Sequence, residues 1–330
     1  MSKISRRTFL ASTAGLLTLP LMAKPASGLT LGFSLYGMKT LKTAPALKQL
    51  AAIGYDSVEL CLNRGWDAAP ANMNNGRRKE TAKLLNQLGL RLTALMENLK
   101  LNGLQAGNHE RLKQAAQLGH DLSPDKPPII ETVMGNGKWE DVKNEFCDHL
   151  GGWVEVAAKS KTLICVKPHR FGAANHPLHG KWLMEQIKSP WIRLAYDYSH
   201  FIHRDIPLAD SIKTMLPWTR FIHVKDTIIK DGRARFVLPG ESGQIDYAKL
   251  LRLVHATGYE GDINVEVSGQ VWNQKGYDPI AAAKKGYTHM ASAFKKSGAP
   301  RKYRKGSNDQ YSPQMDYQIR KGDHAPQSFC

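Results

Sequence analysis

The sequence predicts a single α/β domain, a (β/α)8 barrel of parallel strands, from three observations. Short apolar runs alternate with helical patterns along most of the chain, and eight such pairs can be counted. Strands separated by helices of this length pair in parallel through right-handed crossovers, and eight such units close into a barrel. No glycine-rich phosphate-binding turn follows the first strand, which argues against an open doubly wound sheet.

The first half of the barrel is predicted from four strands and four helices. The strands are expected at residues 30–35, 57–62, 92–96 and 128–134, and the helices at 46–53, 77–88, 110–118 and 139–158. Three of these helices run into a glycine, at Gly54, Gly89 and Gly119. Glycine is the residue that most often ends a helix, because it adopts the left-handed conformation without strain.

The second half repeats the same alternation. Its strands are expected at residues 162–166, 192–196, 219–224 and 263–267, and its helices at 178–187, 208–216, 247–256 and 279–294. Asp246 is the predicted N-cap of the seventh helix, and Gly258 follows the end of that helix. The barrel domain is therefore predicted over residues 29–296.

Residues 1–28 resemble a twin-arginine export signal. Arg6 and Arg7 stand within Ser-Arg-Arg-Thr-Phe-Leu, an apolar run follows, and small residues end the segment near position 28. An ordinary secretory signal with two chance arginines is the alternative. We expect the twin-arginine machinery to export the protein to the periplasm. The apolar run is shorter than the roughly 20 residues that span a bilayer, so we expect no stable membrane insertion.

The formal net charge of +17 raises the question of nucleic-acid binding. Part of this excess lies in residues 1–28 and in the basic segment 297–330, and the excess in the barrel is moderate. It either attracts anionic substrates or keeps the protein soluble, and we expect no nucleic-acid partner. The 297–330 segment lacks periodicity, so it should be disordered or lie extended over the barrel.

Chemistry is predicted at three successive strand ends, where apolar runs stop at acids and histidines. In a parallel barrel the carboxyl ends of the strands meet on one face, which carries the catalytic groups of that architecture. The residues are Asp197 and His200 after strand six, His223, Lys225 and Asp226 at the end of strand seven, and Glu266 after strand eight.

These strand ends, with the loop 239–247 and the segment 258–261, resemble the xylose-isomerase-like barrel superfamily over about residues 30–295. Its members include sugar epimerases and isomerases, inosose dehydratases and an abasic-site endonuclease. The resemblance implies a divalent metal (manganese, magnesium, cobalt or zinc) bound by Asp197, His223 and Glu266. It also implies that His200 contacts metal or substrate. Two carboxylates and an imidazole suit such a cation.

Strand five departs from this resemblance at Lys167. Sugar epimerases of the superfamily carry a glutamate there, which binds the metal and moves a proton. A protonated ammonium group cannot bind a metal ion and repels it. Either His169 or water completes the metal shell, or Lys167 supplies the charge of the metal and pairs with the carboxylates. Lys167, His169 and His200 are therefore the predicted catalytic residues.

Glu97, at the end of strand three, is predicted to bind substrate together with Lys225 and Asp226. Lys225 and Asp226 could instead order the loop after strand seven. Glu59, near the end of strand two, is a further candidate for the same rim. A buried carboxylate near Lys167 would form an acid–base pair with shifted pKa values, or a plain salt bridge.

The predicted function is that of a sugar or polyol isomerase or epimerase that acts through an enediolate. A lyase or dehydratase acting on keto-sugars uses the same enolate and is the alternative enzyme. A sugar-binding barrel that has lost its metal is the non-catalytic alternative. An abasic-site nuclease is disfavoured, because its three-metal cluster needs more histidines than these strand ends provide.

Overall fold

The computed structural model describes residues 28–102 and 105–304. The predicted export signal and residues 305–330 of the predicted tail lie outside this part of the chain. Eight parallel strands close into a barrel, in which each strand neighbours the next in sequence and the last pairs with the first. The predicted (β/α)8 barrel is therefore confirmed.

The strands include a hairpin inserted between the seventh and eighth barrel strands. They are Thr30–Ser34 (β1), Ser57–Cys61 (β2), Arg91–Met96 (β3), Ile129–Val133 (β4), Ile164–Lys167 (β5), Ile192–Tyr196 (β6), Thr219–Val224 (β7), the hairpin strands Asp226–Lys230 (β8) and Arg233–Val237 (β9), and Asp262–Val265 (β10).

The helices cover the outside of the barrel and bury the main hydrophobic core against the strands. They are Thr43–Ile53 (α1), Asn75–Leu88 (α2), Gln105–Leu122 (α3), Trp139–Ser160 (α4), Pro177–Ile187 (α5), Leu208–Met215 (α6), Tyr247–Ala256 (α7), Gly269–Trp272 (α8) and Pro279–Ser297 (α9). Within the described ranges, no helix is both long and apolar enough to cross a bilayer.

Local signals explain most of these boundaries. Gly54 and Gly89 end α1 and α2 with positive φ angles of 112° and 64°. The Asp246 carboxylate accepts a hydrogen bond of 2.9 Å from the backbone N–H of Lys249, as expected of the cap of α7. Gly119 does not end α3, which continues to Leu122. A Cβ at Gly119 would lie 3.1 Å from Pro128 and 3.2 Å from Leu95, so this glycine lets the helix pack closely against the barrel.

The inside of the barrel is polar at the N-terminal ends of its strands. The Asp262 carboxylate accepts hydrogen bonds from Thr30 at 2.8 Å, Thr93 at 3.0 Å and Asn264 at 3.0 Å. A Cβ at Gly32 would come within 2.5 Å of this carboxylate, so the network requires glycine there. Above it, Ala94, Cys165, Ala195 and Phe221 form a small apolar layer.

The first residues of the predicted tail lie extended across the N-terminal end of the barrel, which was one of the two alternatives. Residue Arg301 pairs with Leu29 as a short parallel bridge. The Nε of Arg301 lies 2.7 Å from the Asp56 carboxylate, and both side chains are buried. This segment therefore lies over one end of the barrel and leaves the other end open for a site.

Candidate functional site

Seven ionisable side chains meet inside the C-terminal end of the barrel. Each residue is at most 7% exposed, so the charges are largely removed from water. Four of them lie on barrel strands, and the other three directly follow a strand. This buried charge cluster consists of Glu59 (β2), Glu131 (β4), Lys167 (β5), Asp197 (after β6), His223 (β7), Lys225 (after β7) and Glu266 (after β10).

Lys167 lies at the centre of the cluster. Its Nζ is 2.8 Å from Oε2 of Glu266 and 3.2 Å from Oε1 of Glu131. Burial lowers the pKa of Lys167, but the carboxylates of Glu131, Glu266 and Asp197 outweigh burial and raise it above its ordinary value. Lys167 is therefore an ammonium ion at neutral pH.

Lys225 is a second buried ammonium group, and it contacts the same Glu266 carboxylate as Lys167. Its Nζ donates a hydrogen bond to Asp197 and lies 3.0 Å from Oε2 of Glu266. Burial raises the pKa of Asp197, but Lys225 and His200 outweigh burial and hold it well below its usual range. The ring of Phe236, on the hairpin strand β9, covers this ammonium at 4.9 Å. Lys225 thus joins Asp197 to Glu266.

His223 connects the opposite side of the cluster. Its Nε2 lies 2.9 Å from Glu59, and its Nδ1 lies 3.1 Å from Glu266 and 2.8 Å from Nζ of Lys167. Burial and the charge of Lys167 lower the pKa of His223, whereas the carboxylates of Glu59 and Glu266 raise it to about 9. Nδ1 lies at hydrogen-bond distance from Nζ of Lys167, so only one of these two nitrogens can carry the proton between them.

Glu131 completes the charge balance of the cluster. Neither of its oxygens has a hydrogen bond of good geometry, although Oε1 lies 3.2 Å from Lys167, so we treat this contact as electrostatic. Burial raises the pKa of Glu131 despite the charge of Lys167. The raised pKa brings the cluster closer to neutrality, because its four carboxyl groups face two lysines and one histidine. A neutral cluster is the state that burial favours.

His169 and His200 lie beside the cluster, with ring centroids 4.1 Å apart. His200 is fully buried, and its Nδ1 accepts a hydrogen bond from the backbone N–H of Arg170 at 3.3 Å. Its proton therefore lies on Nε2, which faces Asp197 at 3.3 Å. Burial and Lys225 lower the pKa of His200 to about 4, so this ring is neutral. His200 thus donates from Nε2 to the buried carboxylate of Asp197.

His169 is half-buried and also neutral. Burial and the neighbouring His200 hold its pKa well below its ordinary value. Its Nδ1 accepts a hydrogen bond from the backbone N–H of Phe171 at 3.2 Å, which leaves the proton on Nε2. His169 is thus a hydrogen-bond donor at the edge of the cluster.

A pocket of about 230 Å³ opens above the cluster. Lys167, His169, Glu266 and Tyr36 form its inner part, and Asn98, Lys100, Asn136 and Phe171 are among the residues nearer its mouth. Burial raises the pKa of Tyr36 to about 12, so its hydroxyl keeps its proton. Within the described part of the chain, Oε1 of Glu266 carries no hydrogen bond, whereas Oε2 contacts three nitrogens.

A larger cavity of about 900 Å³ lies at the opposite end of the barrel. It is lined by Asp262, Thr93 and Arg220 among others, and it contains no member of the buried charge cluster. Active sites of this architecture form at the C-terminal ends of the strands. The smaller pocket is therefore the candidate active site.

The residues as placed do not fit a divalent metal ion. Of the three predicted metal ligands, His223 and Glu266 are in direct contact, but Lys225 lies between Asp197 and Glu266. Both ring nitrogens of His223 already face carboxylates. No group of three or more His, Cys, Asp or Glu side chains in the described ranges could hold a metal ion. Ammonium groups occupy the space between the carboxylates, and metal binding by the protein itself stays a prediction.

Glu97 and Asp226 are not brought to the pocket. Glu97 follows an inward-facing residue of β3, so its side chain points outward, where it pairs with Arg111 on α3. The Asp226 carboxylate accepts hydrogen bonds from Ser242, from the backbone N–H of Gly240 and, at 2.7 Å, from the hydroxyl of Tyr247. Asp226 therefore orders the loop after β9, which was the alternative to substrate binding.

Two site residues were missed from the sequence. Glu131 interrupts the apolar run Ile-Ile-Glu-Thr-Val of β4, and a charge at an inward position of a buried strand is the signal that could have identified it. Tyr36 follows β1 in a single helical turn, and nothing in the local pattern distinguishes it.

Comparisons with known proteins agree with this architecture. The sequence model of a family described as xylose isomerase-like TIM barrel matches residues 47–293. By sequence, no curated protein matches the chain. Among solved structures, the chain is similar to the 3-keto-D-glucoside 4-epimerase YcjR from E. coli, with 12% identity and a TM-score of 0.63, covering 80% of this chain and 99% of that one.

Two further structures have the same fold. The chain is similar to the D-allulose 3-epimerase from Methylomonas sp., with 16% identity, a TM-score of 0.60 and coverage of 81% and 98%. It is also similar to the probable 3-DHS dehydratase AsbF from Bacillus anthracis, with 14% identity, a TM-score of 0.63 and coverage of 80% and 99%. At these identities the likeness concerns the fold.

Proposed function

Since the chain belongs to the xylose isomerase-like TIM barrel family, we propose that it is a sugar isomerase or epimerase in which buried lysines supply the positive charge of the reaction. The observation that carries this proposal is the position of Lys167, whose ammonium lies at the pocket floor and 2.8 Å from Glu266. A sugar carbonyl bound there would develop negative charge as an enediolate forms. A preorganised cation in a dry site stabilises that charge strongly.

Lys167 would act on the substrate through its charge. Its ammonium carries three N–H groups, and Glu131, Glu266 and Nδ1 of His223 all lie within 3.2 Å of Nζ. The Nε2–H of neutral His169 on the pocket wall can donate to the substrate oxygen. The His169 donor and the Lys167 charge would stabilise the oxygen that becomes the enediolate oxyanion.

Glu266 is the proposed base. Its Oε2 is held by Lys167, Lys225 and His223, while Oε1 has no hydrogen bond in the described structure and belongs to a residue that lines the pocket. Burial raises the pKa of Glu266, but its cationic partners outweigh burial and hold the pKa well below the usual range. Such a weak base removes a carbon-bound proton only if the resulting anion is well stabilised, which is the role of Lys167 and His169.

Hydrogen exchange tests this proposal whichever product is formed. The enzyme is incubated in D₂O with D-glucose, D-xylose, D-fructose and D-ribulose, and deuterium next to the carbonyl is followed by NMR. We expect exchange into at least one sugar, at an unchanged rate after EDTA treatment and at a rate about a hundredfold lower or less in Lys167→Met.

Other outcomes identify the alternatives. Loss of water from the sugar would indicate a dehydratase or lyase that uses the same enolate. Binding of a sugar without exchange would indicate a non-catalytic sugar-binding barrel. Exchange that disappears with EDTA and returns with Mn²⁺ would show that the lysines do not replace a metal ion.

We also propose export through the twin-arginine machinery, supported by the Arg6-Arg7 pair and the apolar run after it. Changing both arginines to lysine should retain the precursor in the cytoplasm, measured by cell fractionation and immunoblotting. Equal export of that variant would mean that another route is used.

A further inference from the structure

The mouth of the pocket carries an exposed aromatic ring that the proposed chemistry does not use. Phe171, in the loop after β5, lines the pocket and is 53% exposed. Single exposed apolar residues are common on protein surfaces and need no explanation by themselves. Leu178 on α5 is exposed to the same degree, at 56%, but does not line this pocket. The position of Phe171 is therefore what distinguishes it.

The ring of Phe171 packs against two other rings. Its ring centroid lies 5.7 Å from that of Phe236 and 5.8 Å from that of His169. Phe236 is fixed in turn, because its backbone N–H donates a hydrogen bond of 2.8 Å to the Gln270 side chain. A contact group that is already ordered loses little conformational entropy when a ligand binds.

The pocket is too small for a substrate much larger than one sugar ring. Its volume of about 230 Å³ lies below the roughly 300–1,000 Å³ of pockets that enclose drug-sized ligands. A ring bound against Lys167 and His169 would leave any substituent on its far side at the mouth. There the substituent meets the exposed face of Phe171 and the side chain of Lys100, which has no carboxylate partner in the described part of the chain.

We propose that Phe171 is a stacking platform for a second sugar ring, so that the substrate is a glycoside rather than a free monosaccharide. This inference rests on the proposed function, because it assumes that the reacting ring occupies the pocket. The reacting ring binds at Lys167, and the second ring lies with its apolar face on Phe171. The aromatic contact would increase affinity about three- to tenfold.

Matched sugar pairs test the platform by NMR titration. Cellobiose is compared with D-glucose, and lactulose with D-fructose, so that each pair differs by one ring. We expect the disaccharide of at least one pair to bind about three- to tenfold more tightly. Phe171→Ala should remove this difference, because it should lower disaccharide affinity more than monosaccharide affinity. Phe171→Trp should keep the difference, and Leu178→Ala should have no effect.

Failure of the platform can be separated from failure of the proposed function. Equal affinity for both members of each pair, or an equal loss in Phe171→Ala, would overturn the platform alone. Absence of binding for all four sugars would overturn both proposals. If Phe171→Ala instead changes the molecular mass in solution by light scattering, the ring belongs to a contact between copies of the chain, and the platform is wrong.

Discussion

Nζ of Lys167 lies 2.8 Å from Oε2 of Glu266, at the floor of the candidate pocket. The same oxygen also contacts Lys225 at 3.0 Å and His223 at 3.1 Å. One carboxylate oxygen therefore contacts three nitrogens at the floor of the pocket. Its remaining oxygen is the one available to a substrate.

The raised pKa of His223 should make the stability of the fold depend on pH. An unfolded histidine titrates near 6.5, whereas Glu59 and Glu266 raise the pKa of His223 to about 9 in the fold. The stability it contributes is fully present below about pH 6.5 and is lost as the pH rises through about 9. Between these two pH values, the free energy of unfolding should fall by on the order of 2 kcal/mol more in wild type than in His223→Gln. Chemical denaturation at pH 6, 7.5 and 9 measures the difference. If the free energy of unfolding depends on pH equally in wild type and His223→Gln, His223 and Lys167 share a single proton.

Removing the charge of Lys167 should destabilise the fold in a pH-dependent way. Lys167→Met leaves Glu266 without its main cationic partner, and breaking a buried ion pair costs about 3–5 kcal/mol. The pKa of Glu266 should rise in this variant, so protonation at low pH would relieve part of the cost. We expect a larger loss of unfolding free energy at pH 8 than at pH 5. Lys48→Met, on the exposed face of α1, is the control and should lose little at either pH. An equal loss of unfolding free energy at pH 5 and pH 8 would argue against a Glu266 carboxylate left without its cation.

The attachment of the extended segment at the other barrel end should depend on Arg301. Its guanidinium lies 2.7 Å from the Asp56 carboxylate and 2.8 Å from the carbonyl oxygen of Gly54. Arg301→Ala would leave Asp56 buried without a cation, at a cost of about 3 kcal/mol. We expect the melting temperature to fall by several degrees. Lys302→Ala, at an exposed neighbouring position, should change it by less than one degree. Equal melting temperatures for the two variants would show that the extended segment contributes nothing to stability.

The barrel was predictable because its signals are local. Alternation of apolar runs with helical patterns predicted eight strands and their order, and the Asp246 cap and two of the three glycines marked helix ends. Gly119 was misread because a glycine required for close packing has the same local appearance as a helix-ending one. The β8–β9 hairpin was missed because Asp226–Lys230 and Arg233–Val237 mix polar and apolar residues and lack the longer apolar runs of the barrel strands.

The site was predictable where it depends on the convergence of strand ends. It was not predictable where it depends on which way a side chain points from its strand. Lys167, His223 and Glu266 were expected to meet, since strand ends converge in a barrel. Glu97 was placed on the same rim, but a shift of one residue along β3 turns its side chain outward to Arg111. The pairing of Lys225 with Asp197 joins residues 28 positions apart, and no local pattern indicates it.

A single substitution should convert the cluster into a metal site. Lys167→Glu would remove the central ammonium and place a carboxylate near Nδ1 of His223 and the side chains of Glu266 and Glu131. Carboxylates and imidazole together bind Mn²⁺, Co²⁺ or Zn²⁺, and the repelling charge would be gone. We expect about one metal ion per chain after incubation with MnCl₂ and gel filtration, measured by elemental analysis. Wild type and the surface control Lys48→Glu should bind far less. If wild type binds as much metal as Lys167→Glu, Lys167 does not occupy the place of a cation, and the assignment of the lysines to the reaction is wrong.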